Sequence, residues 1–158
     1  AFFDLADPKK RSEEDIRRAL MLIKEFKKCG FKTMLGTNFK EARQLASVIE
    51  KKNNEASLED AAKVVADFMD IDSVVVHKID GAVCIQGSEC VYADAYYCEN
   101  PILKTGCGDN FNAGFVFGQA LGWPPMICVK LGNITASYYV RNGEAASLDQ
   151  LREFLTSI

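Results

Sequence analysis

The chain has 158 residues, of which 48% are hydrophobic and 26% are charged, which is enough apolar material for one hydrophobic core. We therefore expect residues 1–158 to form a single domain. The net charge is −3, with both signs spread along the sequence and no long apolar run, so neither a nucleic-acid surface nor a membrane span of roughly 20 residues is expected.

The first part of the chain predicts a strand, a helix and a second strand. Residues 1–5 have the apolar character of a buried strand, and their position at the very start suggests a fragment. Ser12 and the acids after it begin a helix over residues 12–29, which ends at Gly30. Residues 31–37 predict the next strand. This order is the crossover unit of a parallel sheet and indicates an α/β fold.

The middle of the chain predicts two more helices, a third parallel strand and a hairpin. Asn38 and Ser57 occupy cap positions at the starts of the helices. Residues 72–77 are apolar and β-branched, as expected for a strand covered on both faces. Residues 83–85 and 90–92 flank a glycine-containing turn and predict a short antiparallel hairpin.

The last third of the chain is predicted to be helical. We expect one helix from residue 109 to about 121, a second from 124 to about 141, and a third after a capping box at Ser147. The buried stripe of the second helix is predicted to be Ile127, Leu131, Ile134 and Tyr138. The whole pattern predicts a three-layer, Rossmann-like fold with a mostly parallel sheet flanked by helices.

The run Thr105-Gly106-Cys107-Gly108-Asp109 carries the strongest chemical signal. Its two glycines allow the backbone to approach a ligand, and the following helix offers unpaired N–H groups and the positive end of its dipole. These residues predict an anion site, although a carboxylate here could equally serve only as a helix cap. If the anion is a nucleotide phosphate, Asp109 could take the proton of an attacking hydroxyl.

A second polar pair, Asn38 and Glu41, follows the second predicted strand. Both side chains lie on the first turn of a helix, and either could reach a hydrated Mg²⁺ ion. The carboxyl ends of the strands are also where open α/β sheets bind ligands. The spacing Asn-x-x-Glu is a good capping box as well, which needs no metal. On these residues alone the capping box is the favoured interpretation, and a metal site stays open.

In order and spacing, these features resemble the ribokinase-like (PfkB) carbohydrate kinase family. The similarity comprises the Asn38-x-x-Glu41 motif, a strand that ends at His77, a hairpin, and the run from Thr105 to Asp109. It extends over essentially the whole chain. It implies a ribokinase-like fold, of which residues 1–158 would form the C-terminal, nucleotide-binding part.

The resemblance also implies a reaction. Such a kinase transfers the γ-phosphate of ATP to a hydroxyl of a sugar or a related small molecule. Asp109 corresponds to the general base, and Gly106, Cys107 and Gly108 correspond to the anion hole. The acidic residue that the family often carries before this loop, at a monovalent cation site, is replaced here by Leu103.

The remaining implied residues belong to the nucleotide side of the site. Asn38 and Glu41 correspond to residues that place Mg²⁺ and the phosphates, with Glu41 acting on the metal through water. Gly81 lies near the family's nucleotide-binding turn, and Asn133 matches an asparagine beside the adenine pocket. The implied cofactors are therefore ATP and Mg²⁺.

Two alternatives to a sugar kinase stay open. A nucleoside kinase of the same fold would carry the same motifs, and a non-catalytic nucleotide-binding fragment would keep the fold without turnover. The isolated chain is expected to be inactive, because the lid and most of the substrate pocket would lie outside it. We expect a cytoplasmic protein with small-molecule partners and no nucleic-acid or membrane partner; a homodimer is compatible with this assignment.

Overall fold

A computed structural model of the protein describes residues 1–5, 7–51 and 55–157. Within these residues the strands are β1 (Phe2–Asp4), β2 (Met34–Asn38), β3 (Ser73–Lys78), β4 (Gly81–Gln86) and β5 (Glu89–Asp94). The helices are α1 (Glu13–Lys28), α2 (Phe39–Glu50), α3 (Leu58–Met69), α4 (Cys107–Ala120), α5 (Pro125–Asn142) and α6 (Leu148–Leu155), with a short 3-10 turn at Pro8–Lys10. None of the helices so described is long and apolar enough to cross a membrane.

The strands form one sheet in the order β1-β2-β3-β4-β5. Strands β1, β2 and β3 are parallel, with Asp4 opposite Gly36 and Asn38 opposite His77. Only two residues join β3 to β4 and β4 to β5, and links this short join antiparallel neighbours. The sheet is therefore mixed, and the predicted α/β class is confirmed.

The chain divides into two compact units, which are Ala1–Lys78 with Val83–Val91, and Ile79–Ala82 with Tyr92–Ile158. In the first unit, α2 packs on α3 and both contact β3. Strand β2, which lies between β1 and β3, is buried from Met34 through Thr37. In the second unit, α4 and α5 form an extensive helix pair. The single domain expected from the sequence stays a prediction.

Glycines allow α4 and α5 to approach each other closely. A Cβ atom on Gly114 would lie 2.5 Å from Thr135 Oγ1, and one on Gly132 would lie 2.8 Å from the Phe111 ring. No larger residue fits these positions without moving the helices apart. The predicted stripe on α5 is only partly correct, because Ile134 and Tyr138 are buried whereas Ile127 is 43% exposed.

Helix starts were predicted well where a side chain caps them. Ser12, Ser57 and Ser147 each accept a hydrogen bond from the third residue of the helix that follows, as Ser caps do. Other boundaries differ from prediction. Strand β2 begins at Met34 instead of residue 31, and α4 begins at Cys107, two residues before the predicted start.

Candidate active site

The loop with the strongest sequence signal ends at Gly106, the residue directly before α4. Gly106 is the N-cap residue, and its φ of 89° lies in the left-handed region. Residues other than glycine rarely adopt this backbone conformation, so the turn requires a glycine. Since α4 starts at Cys107, Gly108 and Asp109 are the second and third residues of the helix and do not belong to the loop.

Tyr139 of α5 is in contact with this turn. Its hydroxyl donates a hydrogen bond to the Thr105 carbonyl over 2.8 Å. A Cβ atom on Gly106 would lie 2.8 Å from the same hydroxyl oxygen. Sequence reasoning missed Tyr139, because nothing in its local pattern distinguishes it from the other tyrosines of the chain.

The first turn of α4 presents backbone N–H groups ahead of the helical hydrogen-bond ladder. The ladder begins with the bond from the Asn110 N–H to the Gly106 carbonyl, 3.1 Å long. The N–H groups of Gly108 and Asp109 precede it and lack an intrahelical acceptor by geometry. The Cys107 N–H donates to the Lys104 carbonyl over 3.3 Å. For the Gly106 N–H, the described part of the chain offers no acceptor.

The carboxylate of Asp109 is exposed. The N-cap position of α4 has no side-chain hydrogen bond, and among residues 1–5, 7–51 and 55–157 no hydrogen bond or ion pair engages the Asp109 side chain. The capping alternative raised by the sequence therefore does not describe this residue. Asp109 presents a free carboxylate beside the positive end of the helix dipole, where an anionic ligand would also bind.

Cys107, between the two glycines, is half-buried. Burial raises the pKa of its thiol above the ordinary value, because the thiolate would lose hydration. A helix N-terminus usually favours a thiolate, but the pKa of Cys107 is shifted in the opposite direction by burial. Cys107 thus presents a neutral thiol at neutral pH.

Asn38 and Glu41 form a complete capping box at the start of α2. The Asn38 Oδ1 atom accepts from the Glu41 N–H at 3.0 Å, and Glu41 Oε2 accepts from the Asn38 N–H at 3.1 Å. Two backbone donors that the helix leaves open are thereby satisfied. The structural interpretation of this motif is correct, and it leaves Oε1 of Glu41 for any further role.

Other carboxylates surround Glu41 within the first unit. Burial raises the pKa of Glu41, the hydrogen bond from the Asn38 backbone lowers it in part, and the charges of Asp4 and Asp7 raise it further. Asp4 is the last residue of β1 and lies opposite Gly36 of β2. No group of three metal-binding side chains occurs in the described ranges, and the contact of Glu41 with a metal through water stays a prediction.

Gly81 and Asn133 both contact the Ala93 carbonyl in the second unit, Asn133 through a hydrogen bond and Gly81 through close packing. Asn133 is buried and donates from Nδ2 to the Ala93 and Asp94 carbonyls at 3.0 and 3.1 Å. A Cβ atom on Gly81 would lie 2.9 Å from the Ala93 carbonyl oxygen and 2.3 Å from the Tyr92 hydroxyl. Both residues therefore have packing roles, and their predicted contact with a nucleotide stays a prediction.

The predicted site residues thus fall into separate groups. Gly106, Cys107, Gly108 and Asp109 share one turn, and Gly81 and Asn133 share one carbonyl; all six lie in the second unit. Asn38 and Glu41 lie in the first unit. An exposed carboxylate, open N–H donors and a left-handed glycine at one helix start can bind an anion and accept a proton.

Comparison with known proteins finds matches to sugar and nucleoside kinases. The family model described as prokaryotic ketohexokinase matches residues 1–158. Ketohexokinase from Haloferax volcanii is 25% identical over 123 residues, which cover 78% of this chain and 32% of that protein. The chain thus spans about a third of the length of this curated relative.

Solved structures with the same fold include kinases. The nucleoside kinase of Methanocaldococcus jannaschii, an archaeal member of the ribokinase family, has a TM-score of 0.72 at 21% identity and covers 99% of this chain and 48% of its own. A candidate ribokinase II from E. coli, solved with ATP and Mg²⁺, has a TM-score of 0.70 at 17% identity and covers 92% and 44%. At these identities the similarity establishes the ribokinase-like fold.

Proposed function

We propose a function from an established premise, which is that the chain belongs to the prokaryotic ketohexokinase family. The ribokinase-like carbohydrate kinase assignment made from the sequence is thereby confirmed. On this premise, the chain forms the nucleotide-binding and catalytic part of an ATP-dependent kinase. The acceptor is a hydroxyl group of a sugar, and the rest of the substrate pocket comes from residues outside this chain.

The state of Asp109 carries this proposal. Its carboxylate is exposed and unengaged by the described residues, although it stands at a helix start where carboxylates often serve as caps. It lies three residues after Gly106, whose N–H has no acceptor in the described chain. A proton acceptor and anion donors on one turn are the groups that phosphoryl transfer needs.

The chemistry follows from the turn itself. Asp109 accepts the proton of the substrate hydroxyl as the oxygen attacks phosphorus, so that no positively charged oxonium accumulates. The N–H groups of Gly106 and Gly108 stabilise the negative charge that develops on the transferring phosphoryl group. The Cys107 N–H joins them when it exchanges the Lys104 carbonyl for a phosphate oxygen. The left-handed φ of Gly106 gives the turn this shape without a bound substrate.

ATP and Mg²⁺ are the proposed cofactors, as in the E. coli structure described above. The donor turn of α4 fits phosphate, and the second carboxylate oxygen of Glu41 fits a water ligand of Mg²⁺. Asn38 holds Glu41 in place through the capping box, while Gly81 and Asn133 border the nucleotide. When bound, the metal supplies positive charge that offsets the phosphates.

A ketohexose is the first acceptor to test, because the matched family and the Haloferax volcanii relative are both described as ketohexokinases. A nucleoside is the alternative acceptor, favoured by the Methanocaldococcus jannaschii structure. Assays with a ketohexose, an aldohexose and a nucleoside at equal concentration distinguish the two. A cytoplasmic location and small-molecule partners, with neither a nucleic acid nor a membrane among them, complete the proposal.

The decisive test replaces Asp109 in the intact enzyme that contains this chain. Asp109→Asn keeps the size and polarity of the side chain but cannot accept the proton. We expect kcat to fall by about 10²- to 10⁴-fold, the range that general-base catalysis provides. The free energy of unfolding should change by less than about 0.5 kcal/mol, because the exposed side chain has no structural partner.

Asp149→Asn is the matched control. Asp149 is also an exposed aspartate in the first turn of a helix in the second unit, so this variant makes the same chemical change at a residue that is not proposed to act in catalysis. It should retain the rate of the unmodified enzyme. An Asp109→Asn enzyme with an unreduced kcat would show that Asp109 is not the base.

A further inference from the structure

We propose that Tyr139 is a positioning residue for phosphoryl transfer, which holds the Thr105–Gly106 peptide so that the Gly106 N–H faces the phosphate. This inference rests on the proposed kinase function. It assigns a role to a side chain of α5 that does not touch the substrate and lies 33 positions after Gly106 in the sequence.

The direction of the peptide follows from its planarity. In a trans peptide the C=O and N–H bonds point to opposite sides. The Tyr139 hydroxyl holds the Thr105 carbonyl over 2.8 Å, so the N–H of Gly106 points away from Tyr139. No acceptor in the described chain competes for that N–H, so it is available to a ligand in this orientation.

The end of α5 also holds the segment that leads to this peptide. Ser137 Oγ donates to the Tyr96 carbonyl at 2.7 Å, and Arg141 donates to the Tyr96 and Tyr97 carbonyls at 3.0 and 2.6 Å. The Ile102 N–H donates to the Val140 carbonyl at 2.7 Å. These bonds fix the start of the segment, whereas the Tyr139 bond fixes the peptide that would contact the phosphate.

Gly106 and Tyr139 match each other sterically. A Cβ atom at position 106 would lie 2.8 Å from Tyr139 Oη and 3.3 Å from Cζ, closer than non-bonded atoms normally approach. The hydroxyl therefore occupies space that only a glycine leaves open. A tyrosine at this place both supports the peptide and excludes side chains from it.

The expected kinetic effect is confined to the transition state. Preoriented donors stabilise charge that appears only as the phosphoryl group transfers. Without the Tyr139 hydroxyl, the Thr105–Gly106 peptide can rotate, and the N–H spends part of its time in other orientations. Interactions realised in the transition state alone change kcat and leave KM unaltered.

Tyr139→Phe tests the inference in the intact enzyme, because it removes the hydroxyl and keeps the ring. We expect kcat to fall about tenfold, the equivalent of one modest hydrogen bond, with KM for ATP and for the acceptor unchanged. Tyr138→Phe is the matched control. Tyr138 precedes Tyr139 on α5 and is buried against Phe154 of α6. Its hydroxyl forms no hydrogen bond with the described residues, so kcat should not change.

The outcomes separate this inference from the proposed function. If Asp109→Asn abolishes turnover while Tyr139→Phe keeps full kcat, the positioning role is wrong and the kinase assignment stands. A variant that loses thermal stability but not kcat would assign Tyr139 a structural role only and overturn the inference. If Asp109→Asn retains full activity, the proposed base is wrong, and the positioning role inferred for Tyr139 is overturned with it.

Discussion

The starts of α2 and α4 resemble each other in sequence but differ in the use of one carboxylate. Each helix has an acid as its third residue, Glu41 in α2 and Asp109 in α4. In α2 the N-cap is Asn38, and Glu41 reaches back to the Asn38 N–H. In α4 the N-cap is Gly106, which has no side chain, and Asp109 is exposed.

This difference shows that the N-cap residue determines whether the carboxylate of the third helical residue is bound by the backbone or is available to a ligand. An amide cap satisfies one donor of the helix and orients a glutamate that satisfies another. A glycine cap leaves donors open, and the shorter aspartate is not engaged by the backbone. The same helix dipole is therefore used for stability in α2 and is available for a ligand in α4.

Among the variants that test this difference between α2 and α4, Gly106→Ala should have the largest effect on stability and on kcat. The φ of 89° strains an L-residue by about 1–2 kcal/mol, and the new Cβ atom would press against Tyr139 Oη. We expect the free energy of unfolding to fall by about 2 kcal/mol, and kcat to fall by about 10²-fold or more because an anion-hole donor moves. Chemical denaturation and steady-state kinetics measure both quantities.

Gly122→Ala separates strain from steric conflict in that experiment. Gly122 has a φ of 73°, but a Cβ atom there would meet nothing within 4 Å. This variant should show the strain alone and retain kcat. In a Tyr139→Phe background, Gly106→Ala should destabilise less, because the closest atom is gone. Equal losses in both backgrounds would contradict the proposed fit between Gly106 and Tyr139.

Glu41→Gln should change the free energy of unfolding less than Gly106→Ala does. It should also change the Mg²⁺ concentration that the enzyme requires. Glutamine keeps the oxygen that accepts from Asn38 and retains the capping box, whereas Asn38→Ala should lose about 1 kcal/mol of stability. The missing carboxylate charge should raise the Mg²⁺ concentration for half-maximal activity by about tenfold, as for other outer-shell groups. An unchanged Mg²⁺ requirement would leave Glu41 with the capping role alone.

The pH dependence of the same variant has a defined sign. The pKa of Glu41 is raised above 4.5 in the folded protein, chiefly by burial. Its contribution to stability is therefore present below the unfolded pKa and is lost as the pH rises through the folded pKa. The unmodified protein should lose stability relative to Glu41→Gln as the pH increases from 4 towards 7. A difference that stays constant over this range would contradict the raised pKa.

The sequence predicted α2 better than α4 for a physical reason. Asn38 and Glu41 interact three residues apart, so the cap, the box and the helix start are all local and readable. At α4, glycines with low helix propensity conceal the start, and the contact that shapes the turn comes from Tyr139 on another helix. The predicted start at Asp109 was therefore two residues late.

The helix pair α4 and α5 shows the same limit. A periodic apolar stripe predicted Ile127 as buried, but close contacts at Gly114 and Gly132 set the rotation of the helices. Small residues carry no hydrophobic signal, although they decide which faces meet. Side chains that act over long sequence distances, such as Tyr139 and Asp4, could not be assigned a role from local patterns.

Cys107→Ala should have the smallest effect at the start of α4. Burial keeps the thiol neutral, and only the backbone N–H of this residue is proposed to act. Alanine keeps that N–H, and its higher helix propensity offsets the small loss of buried surface. The free energy of unfolding should therefore change by less than about 1 kcal/mol, and kcat should change by less than about twofold. Labelling with a thiol reagent should modify the exposed Cys29 and Cys90 before Cys107, because a neutral, half-buried thiol reacts slowly. A large loss of kcat in Cys107→Ala would instead mean that the thiol takes part in the reaction, and that the glycine cap of α4 leaves two side chains available for chemistry.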